Sequence, residues 1–141
     1  MLARRALTHR ELMDRLVRKG AGGDTAQAVV DELARLGYVN DAEITEDHIR
    51  RAREDRLLGR ALVKFELAYK RGVDQELIDR AMAEFYPEES EFEVARRFAT
   101  RKSTHDRDLP EVKRVRRLAG ALERRGFPGE IVARLVRESK G

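Results

Sequence analysis

The chain has 141 residues, with 30 Lys+Arg against 26 Asp+Glu, no Cys and no Trp. The absence of Cys excludes a disulfide framework, a thiolate zinc site and a cysteine nucleophile, so nothing asks for an oxidising compartment. No run approaches the ~20 apolar residues of a membrane-spanning helix, and the opening MLARRALTHR lacks the apolar stretch of a signal peptide, which makes a cytoplasmic protein the expectation.

Apolar residues make up 41% of the chain, enough for a core, and only 3 Pro interrupt an abundance of Ala, Leu, Glu and Arg. That composition favours helix throughout. With 40% of residues charged, the helices carry long solvated faces over thin cores. The predicted fold is therefore all-α, an elongated, curved array of tandem three-helix repeats with no sheet.

In chain order, Met1 to Leu7 reads as the tail of an earlier helix. Thr8-x-x-Glu11 is a capping box that opens a helix carrying Leu12, Met13 and Leu16. Lys19-Gly20 closes it, and a second helix with Val29, Val30 and Leu33 follows. The same unit recurs twice. Leu58, Ala61, Leu62, Phe65, Ala68 and Tyr69 lead to Arg71-Gly72, with Leu77, Ile78, Ala81 and Met82 after it. Val115, Leu118, Ala119 and Leu122 lead to Arg125-Gly126, with Ile131, Val132, Leu135 and Val136 after it. Spacings of three and four place each set on one helix face. A glycine after a basic residue suits a left-handed C-cap, with the cation near the negative end of the helix dipole. In the second and third units the positions 5, 6, 9 and 10 after the glycine are apolar. The first unit fits that rule if Ala21-Gly22-Gly23-Asp24 is a four-residue insertion in its turn.

Third helices fill the gaps. Asn40 or Asp41 caps one running through Ile44, His48, Ile49 and Ala52, and another starts near Ser90 and carries Phe92, Val94, Ala95, Phe98 and Ala99. Ser103 to Pro110 is the clearest loop. The segmentation is repeat 1 over 1–55, repeat 2 over 56–103 and an incomplete, two-helix repeat 3 over 111–141. One helix pair cannot bury its own apolar face, so such units are expected to stack into a continuous core.

No catalytic, cofactor or metal motif emerges. His9, His48 and His105 are far apart, and His48 lies at a core-facing position, where packing is the expected role. Gly20, Gly22 and Gly23 follow no strand, as a phosphate-cradling loop requires. Glu88, Glu89, Glu91 and Glu93 suit a helix N-terminus better than a metal. The expectation is a protein that is not an enzyme and holds no cofactor or metal.

Charge is the remaining signal. Residues 96–141 carry 14 basic against 6 acidic residues, next to a stretch from 83 to 95 with 5 acidic and none basic. The candidate contact residues are Arg50, Arg51, Arg53, Lys70, Arg71, Arg96, Arg97, Arg101, Lys102, Lys113, Arg114, Arg116, Arg117, Arg124 and Arg125. Such clusters neutralise phosphates or grip carboxylates of a protein partner. Only 6% of residues are aromatic, and none alternates with the basic clusters, so contact with a nucleic-acid backbone is favoured over base readout. Three readings stand at this point: solvated helix faces, a polyanionic partner such as DNA, or a protein partner.

A family resemblance narrows them. Arg5, Thr8, Glu11-Leu12 and Leu16 resemble the opening R-x-x-[ST]-x-x-E-L-x-x-K-L motif of the bacterial RecX regulatory proteins. Leu33-Ala34-Arg35-Leu36-Gly37-Tyr38-Val39-Asn40-Asp41 is similar to their L-x-x-x-G-Y-[LI]-[DN]-D, and Arg50 and Gly59 fall at family positions. Glu66-Leu67 to Arg71-Gly72-Val73-Asp74 resembles E-L-x-x-K-G-[IV]-[DS], and Leu118 through Arg124-Arg125-Gly126-Phe127 resembles the closing L-x-x-F-L-x-R-R-G-[FY]. The chain departs from these motifs with Ile44 and His48 in place of an aromatic pair and Arg60 in place of Pro. It also has one extra residue between Glu66-Leu67 and Gly72. The resemblance implies three tandem three-helix repeats in a regulator of the RecA recombinase, and a monomer is the expectation for a repeat built to wrap a partner. Such a protein binds RecA and the RecA–DNA filament groove, with weak, backbone-directed contact to single- or double-stranded DNA. It inhibits ATP hydrolysis and strand exchange, and so acts in homologous recombination, DNA repair and the SOS response. The rivals are a stand-alone helix-turn-helix DNA-binding protein and a protein-only helical scaffold. Against the first, Asn40 is the only Asn, and Gln27 and Gln75 are the only Gln available to read base edges.

Overall fold

The computed structural model describes residues 6–139, and within them every regular element is helical. The helices are α1 (His9–Arg18), α2 (Gly23–Arg35), α3 (Asp41–Glu54), α4 (Arg60–Phe65), α5 (Gln75–Phe85), α6 (Glu88–His105), α7 (Glu111–Arg124) and α8 (Gly129–Ser139). A π-helical turn, Glu66–Lys70, continues α4. The expected tail helix falls largely on residues 1–5, outside the described residues, and Ala6 to Thr8 are not helical.

The capping box forms as predicted: the Thr8 hydroxyl accepts from the Glu11 backbone N–H at 3.2 Å, and the Glu11 carboxylate accepts from the Thr8 N–H at 2.9 Å. Asn40 caps α3 by accepting from the Glu43 N–H at 3.1 Å. Two further caps come from distant acids. Asp41 accepts from the His9 N–H and Glu91 from the Arg60 N–H, each at 2.8 Å, so the first amides of α1 and α4 are held by the start of another helix. Burial pushes the Glu91 carboxyl above its usual range, against the lowering effect of the Arg60 amide.

Gly20, Gly72 and Gly126 all take positive φ (104°, 68° and 87°), as C-caps of α1, the π-turn and α7. The residue after the glycine donates back to Leu16 in the first unit and Leu122 in the third, five residues away in both. In the second unit Val73 donates to Leu67, six residues away. The one extra residue seen in the sequence is thus absorbed as a π-turn, which keeps Leu67 fully buried where Leu122 is buried in the third unit. The insertion expected in the first turn is absent. Each following helix starts three residues after its glycine, at Gly23, Gln75 and Gly129, because Gly23 and Asp24 belong to α2 rather than to the turn. The residues six after the glycine, Ala26, Ile78 and Val132, are buried in all three helices.

The loop is also shorter than expected. Helix α6 runs on to His105, where Asp106 begins the turn and is itself buried between Lys102 and Arg117. The sequence segmentation placed α6 at the end of the second repeat. In the structure α6 packs on α7 and α8, while α3 packs on α5, and α1 on α2. A continuous apolar cluster runs from Ile49 through Leu67, Ile78, Tyr86 and Phe98 to Leu135. Ala26 and Val30 are buried outside it, and α1 buries no residue of its own, so the first unit has the thinnest core. The molecular surface of 9398 Å² belongs to a chain of 16.2 kDa; a compact monomer of that mass exposes roughly 7,500 Å². That excess fits small cores set end to end.

Candidate functional site

Successive units meet through their arginine–glycine turns. At the first seam the Thr8 hydroxyl donates to the Arg71 carbonyl at 2.6 Å, and Arg71 donates to the Ala6 carbonyl at 2.7 Å. At the second seam the Gly59 N–H donates to the Arg125 carbonyl at 2.8 Å, and Arg125 donates to the Arg56 carbonyl at 3.0 Å. Thr8 and Gly59 are both N-caps, so the start of one helix sits on the turn of the next unit each time. A Cβ on Gly59 would come within 2.5 Å of the Gly126 backbone, so glycine is required for this approach.

The structure divides the fifteen candidate cations into committed and uncommitted groups. On α3, Arg50 pairs with Glu46 (2.9 Å), Arg51 with Asp47 (3.2 Å) and Arg53 with Glu54 (3.3 Å), and Arg53 also donates to the Phe85 carbonyl. On α6, Arg96 reaches Glu138 at 3.4 Å, Arg97 reaches Glu54 at 3.2 Å and Lys102 reaches Asp106 at 3.3 Å. Arg117 holds the same Asp106 from α7 at 3.2 Å. Burial raises the Asp106 carboxyl, and the hydrogen bonds from Arg117 and Lys102 outweigh it, leaving its pKa below the ordinary value. Arg71 is 6% exposed and locked to Glu11 at 3.0 Å, so it is a seam residue and offers no surface to a partner. Arg114 donates to the Leu109 carbonyl at 3.3 Å. Among the described residues, the candidates with no carboxylate within pairing distance are Lys70, Arg101, Lys113, Arg114, Arg116, Arg124 and Arg125. All but Lys70 lie on α6 and α7 or at the C-terminal end of α7.

A buried cluster supports the second seam from within. Glu66, on the π-turn, accepts both guanidinium nitrogens of Arg56 at 2.8 and 2.9 Å and contacts His48 Nε2 at 3.0 Å. Burial raises the Glu66 carboxyl, but the bonds from Arg56 and His48 bring its pKa below the usual range. Burial lowers the His48 pKa more than Glu66 raises it. His48 is thus the packed histidine its spacing predicted. Leu57, fully buried beside Arg56, holds the left-handed φ of 54°, a strained value for leucine that its packing imposes.

Two features were missed by the sequence reading. Arg56 was not among the candidates, because its partner Glu66 lies ten residues on and no helical spacing links them. An aromatic pair spans the end of α4 and the π-turn: Phe65 and Tyr69, 48% and 79% exposed with ring centroids 5.0 Å apart. Lys64 and Lys70 flank it in sequence, which was the available signal. Among the described residues no group of His, Cys, Asp or Glu is placed to hold a metal, and no helix is long and apolar enough to cross a membrane.

Tandem helical units joined by repeated arginine–glycine seams define a helical-repeat protein. Residues 88–136, spanning α6 to α8, match the family model described as RecX, third three-helix domain. The Regulatory protein RecX of Amycolatopsis mediterranei (strain U-32) is 34% identical over 138 residues, covering 98% of this chain and 78% of that protein. That of Thermobifida fusca (strain YX) is also 34% identical over 138 residues, covering 98% and 74%. The crystal structure of RecX from Lactobacillus salivarius superposes with a TM-score of 0.76 over 95% of this chain and 86% of that one, at 19% identity, and so has the same fold. The chain belongs to the RecX family of regulatory proteins.

Proposed function

We propose that this chain is a non-enzymatic modulator of the RecA recombinase, binding RecA and the groove of the RecA–DNA filament and restraining ATP hydrolysis and strand exchange. The observation that carries the reading is 34% identity along 98% of the chain to proteins named regulatory protein RecX. In this reading the protein acts as a cytoplasmic monomer in recombination, DNA repair and the SOS response. The division of the cations supports a division of labour. The uncommitted arginines and lysines of the third unit face DNA phosphate, and the middle unit, with Phe65 and Tyr69 exposed, faces RecA. Aromatic side chains of this kind dominate the buried centres of protein interfaces.

The test is RecA ATPase activity on single-stranded DNA at increasing amounts of the protein. Inhibition at low ratios to RecA is expected, and no effect at saturation overturns the reading. Tyr69→Ala should weaken inhibition about tenfold, the size of a modest interface hot spot, without changing the melting temperature. Reversal of Lys113, Arg116 and Arg124 to Glu should also weaken it, most at low salt, with a gap that narrows as salt rises. Undiminished inhibition in both variants would remove the assignment of the faces.

A further inference from the structure

Arg125 is held in place by contacts that leave its charge unbalanced. Its guanidinium carbon lies 4.2 Å from the centroid of the Phe98 ring, and Nη2 donates to the Arg56 carbonyl at 3.0 Å. Its Nε is buried with no acceptor. Arg101 follows Phe98 by three residues on α6, which places it on the same helix face, and no carboxylate pairs with it. From the α3–α4 loop, Arg56 adds a third cation. The acids nearby are already engaged: Glu66 by Arg56 and His48, and Glu54 by Arg53 and Arg97. Burial, then the like charges of Arg101 and Arg56, push the Arg125 pKa below its ordinary value. Glu66 already balances Arg56, but Arg101 and Arg125 have no carboxylate partner among the described residues; they repel one another, and an oxyanion seated between them removes that repulsion. Guanidinium is the group whose planar fork suits phosphate oxygens. Stacking on Phe98 and the bond to Arg56 already fix the orientation of Arg125, so little side-chain freedom remains to be lost on binding.

We propose that Arg101 and Arg125, backed by Arg56, form a seat for a phosphate group of a nucleic-acid backbone at the second seam, and that an occupied seat braces the second and third units together. The inference rests on the DNA-facing reading above for the source of the phosphate. Its local consequence is independent of RecA: the ligand acts as the missing counter-ion of the seam.

Arg101→Glu separates folding from binding, because Arg101 makes no hydrogen bond or ion pair that the fold needs. The variant should melt about 1–3 °C higher, since its carboxylate neutralises Arg125. It should bind a single-stranded thymidine oligonucleotide about tenfold more weakly, with the salt slope reduced by about one contact. Inorganic pyrophosphate should raise the melting temperature of the unaltered protein and not that of the variant. Arg101→Lys should keep most of the binding. Arg80→Glu on α5 makes the same change in net charge away from the seam and should leave both readouts near their starting values. A lower or unchanged melting temperature in Arg101→Glu overturns the unbalanced seam. Equal loss of oligonucleotide binding in Arg80→Glu reduces the effect to net charge and removes the seat. Stabilisation by pyrophosphate with unchanged oligonucleotide affinity makes the seat one for free phosphate and overturns its backbone role. These measurements contain no RecA. A protein that fails to inhibit RecA but loses oligonucleotide binding on Arg101→Glu keeps the seat and loses the functional reading, and the converse result keeps the reading and loses the seat.

Discussion

At the first seam Arg71 is enclosed and meets Glu11 at 3.0 Å; at the second, Arg125 is half-buried, stacks on Phe98 and meets no carboxylate. Both arginines precede a left-handed glycine, and both donate to a carbonyl just ahead of the neighbouring helix. The difference lies in one position of that helix. Glu11 stands three residues after the N-cap Thr8, whereas Leu62 stands three residues after the N-cap Gly59. One architecture therefore yields a neutral seam that holds the thin first unit and a cationic seam left open to an anion. A repeat protein can thus place function at one junction and stability at the other by changing a single side chain.

The largest effect that tests this contrast is removal of the balancing acid. Glu11→Ala should cost about 3–5 kcal/mol, because it leaves Arg71 buried and uncompensated and also removes half of a capping box. Chemical denaturation monitored by circular dichroism measures it. A loss below about 1 kcal/mol would mean that Arg71 finds water or another acceptor, and the seams would then be alike in energy. The reciprocal change, Leu62→Glu, transplants the acid to the second seam and should abolish stabilisation by pyrophosphate.

Next in size is the backbone contact. Gly59→Ala should cost about 2–3 kcal/mol, since its Cβ meets the Gly126 carbonyl carbon and oxygen at 2.5 Å and rigid backbone must move. At the first seam a Cβ on Gly72 meets Arg10 Cδ, with Arg10 Cβ and Cγ at 2.9 Å. The Cδ can swing aside but the Cβ moves only with α1, so Gly72→Ala, with its positive φ, should cost about 1–2 kcal/mol, less than a clash with backbone. Equal losses at the two glycines would show that the second seam has more slack than its geometry allows.

The amphipathic spacing and the basic–glycine caps made the repeat legible, since both are local patterns that 3.6-residue periodicity exposes. The extra residue before Gly72 was legible as a length mismatch, though not as a π-turn, because only the hydrogen-bond register locates it between Leu67 and Gly72. The supposed insertion at Ala21 to Asp24 arose from matching Val29 and Val30 to the wrong positions. Thr25 occupies the fifth place after Gly20, where the other units have Leu77 and Ile131, and that polar residue hid an unbroken register. Of the candidate surface, the i to i+4 pairs Glu46–Arg50 and Asp47–Arg51 are readable in the sequence. The ion pairs that remove Arg71, Arg97 and Arg117 from a free surface span 60, 43 and 11 residues, which no helical period predicts.

Acid should act on the second seam through His48 and Glu66. Both pKa values are depressed in the folded state, so the unfolded chain takes up the proton first in each case. Stability from His48 is present above about pH 6.5 and is lost as pH falls below it; that from Glu66 is lost as pH falls below about 4.5. Each slope is at most about 1.4 kcal/mol per pH unit. The folded protein should therefore lose stability in two steps from pH 7 to pH 4, and His48→Gln should flatten the first. An unchanged upper step in that variant assigns it to another group.

The smallest expected effect concerns α3, whose arginines looked like a contact cluster in the sequence. Arg51 is well exposed and pairs with Asp47 one turn before it on the same helix. Such a pair is worth a few tenths of a kcal/mol, so Arg51→Ala should change stability by less than about 0.5 kcal/mol. Its charge is already balanced within the helix, so oligonucleotide affinity should also stay within about twofold at moderate salt. Arg101→Glu, about tenfold weaker in the same titration, is the comparison. If Arg51→Ala weakens binding as much as Arg101→Glu does, a nearby carboxylate does not withdraw a cation from the binding surface. The contrast between a balanced and an unbalanced seam would then lose its functional meaning.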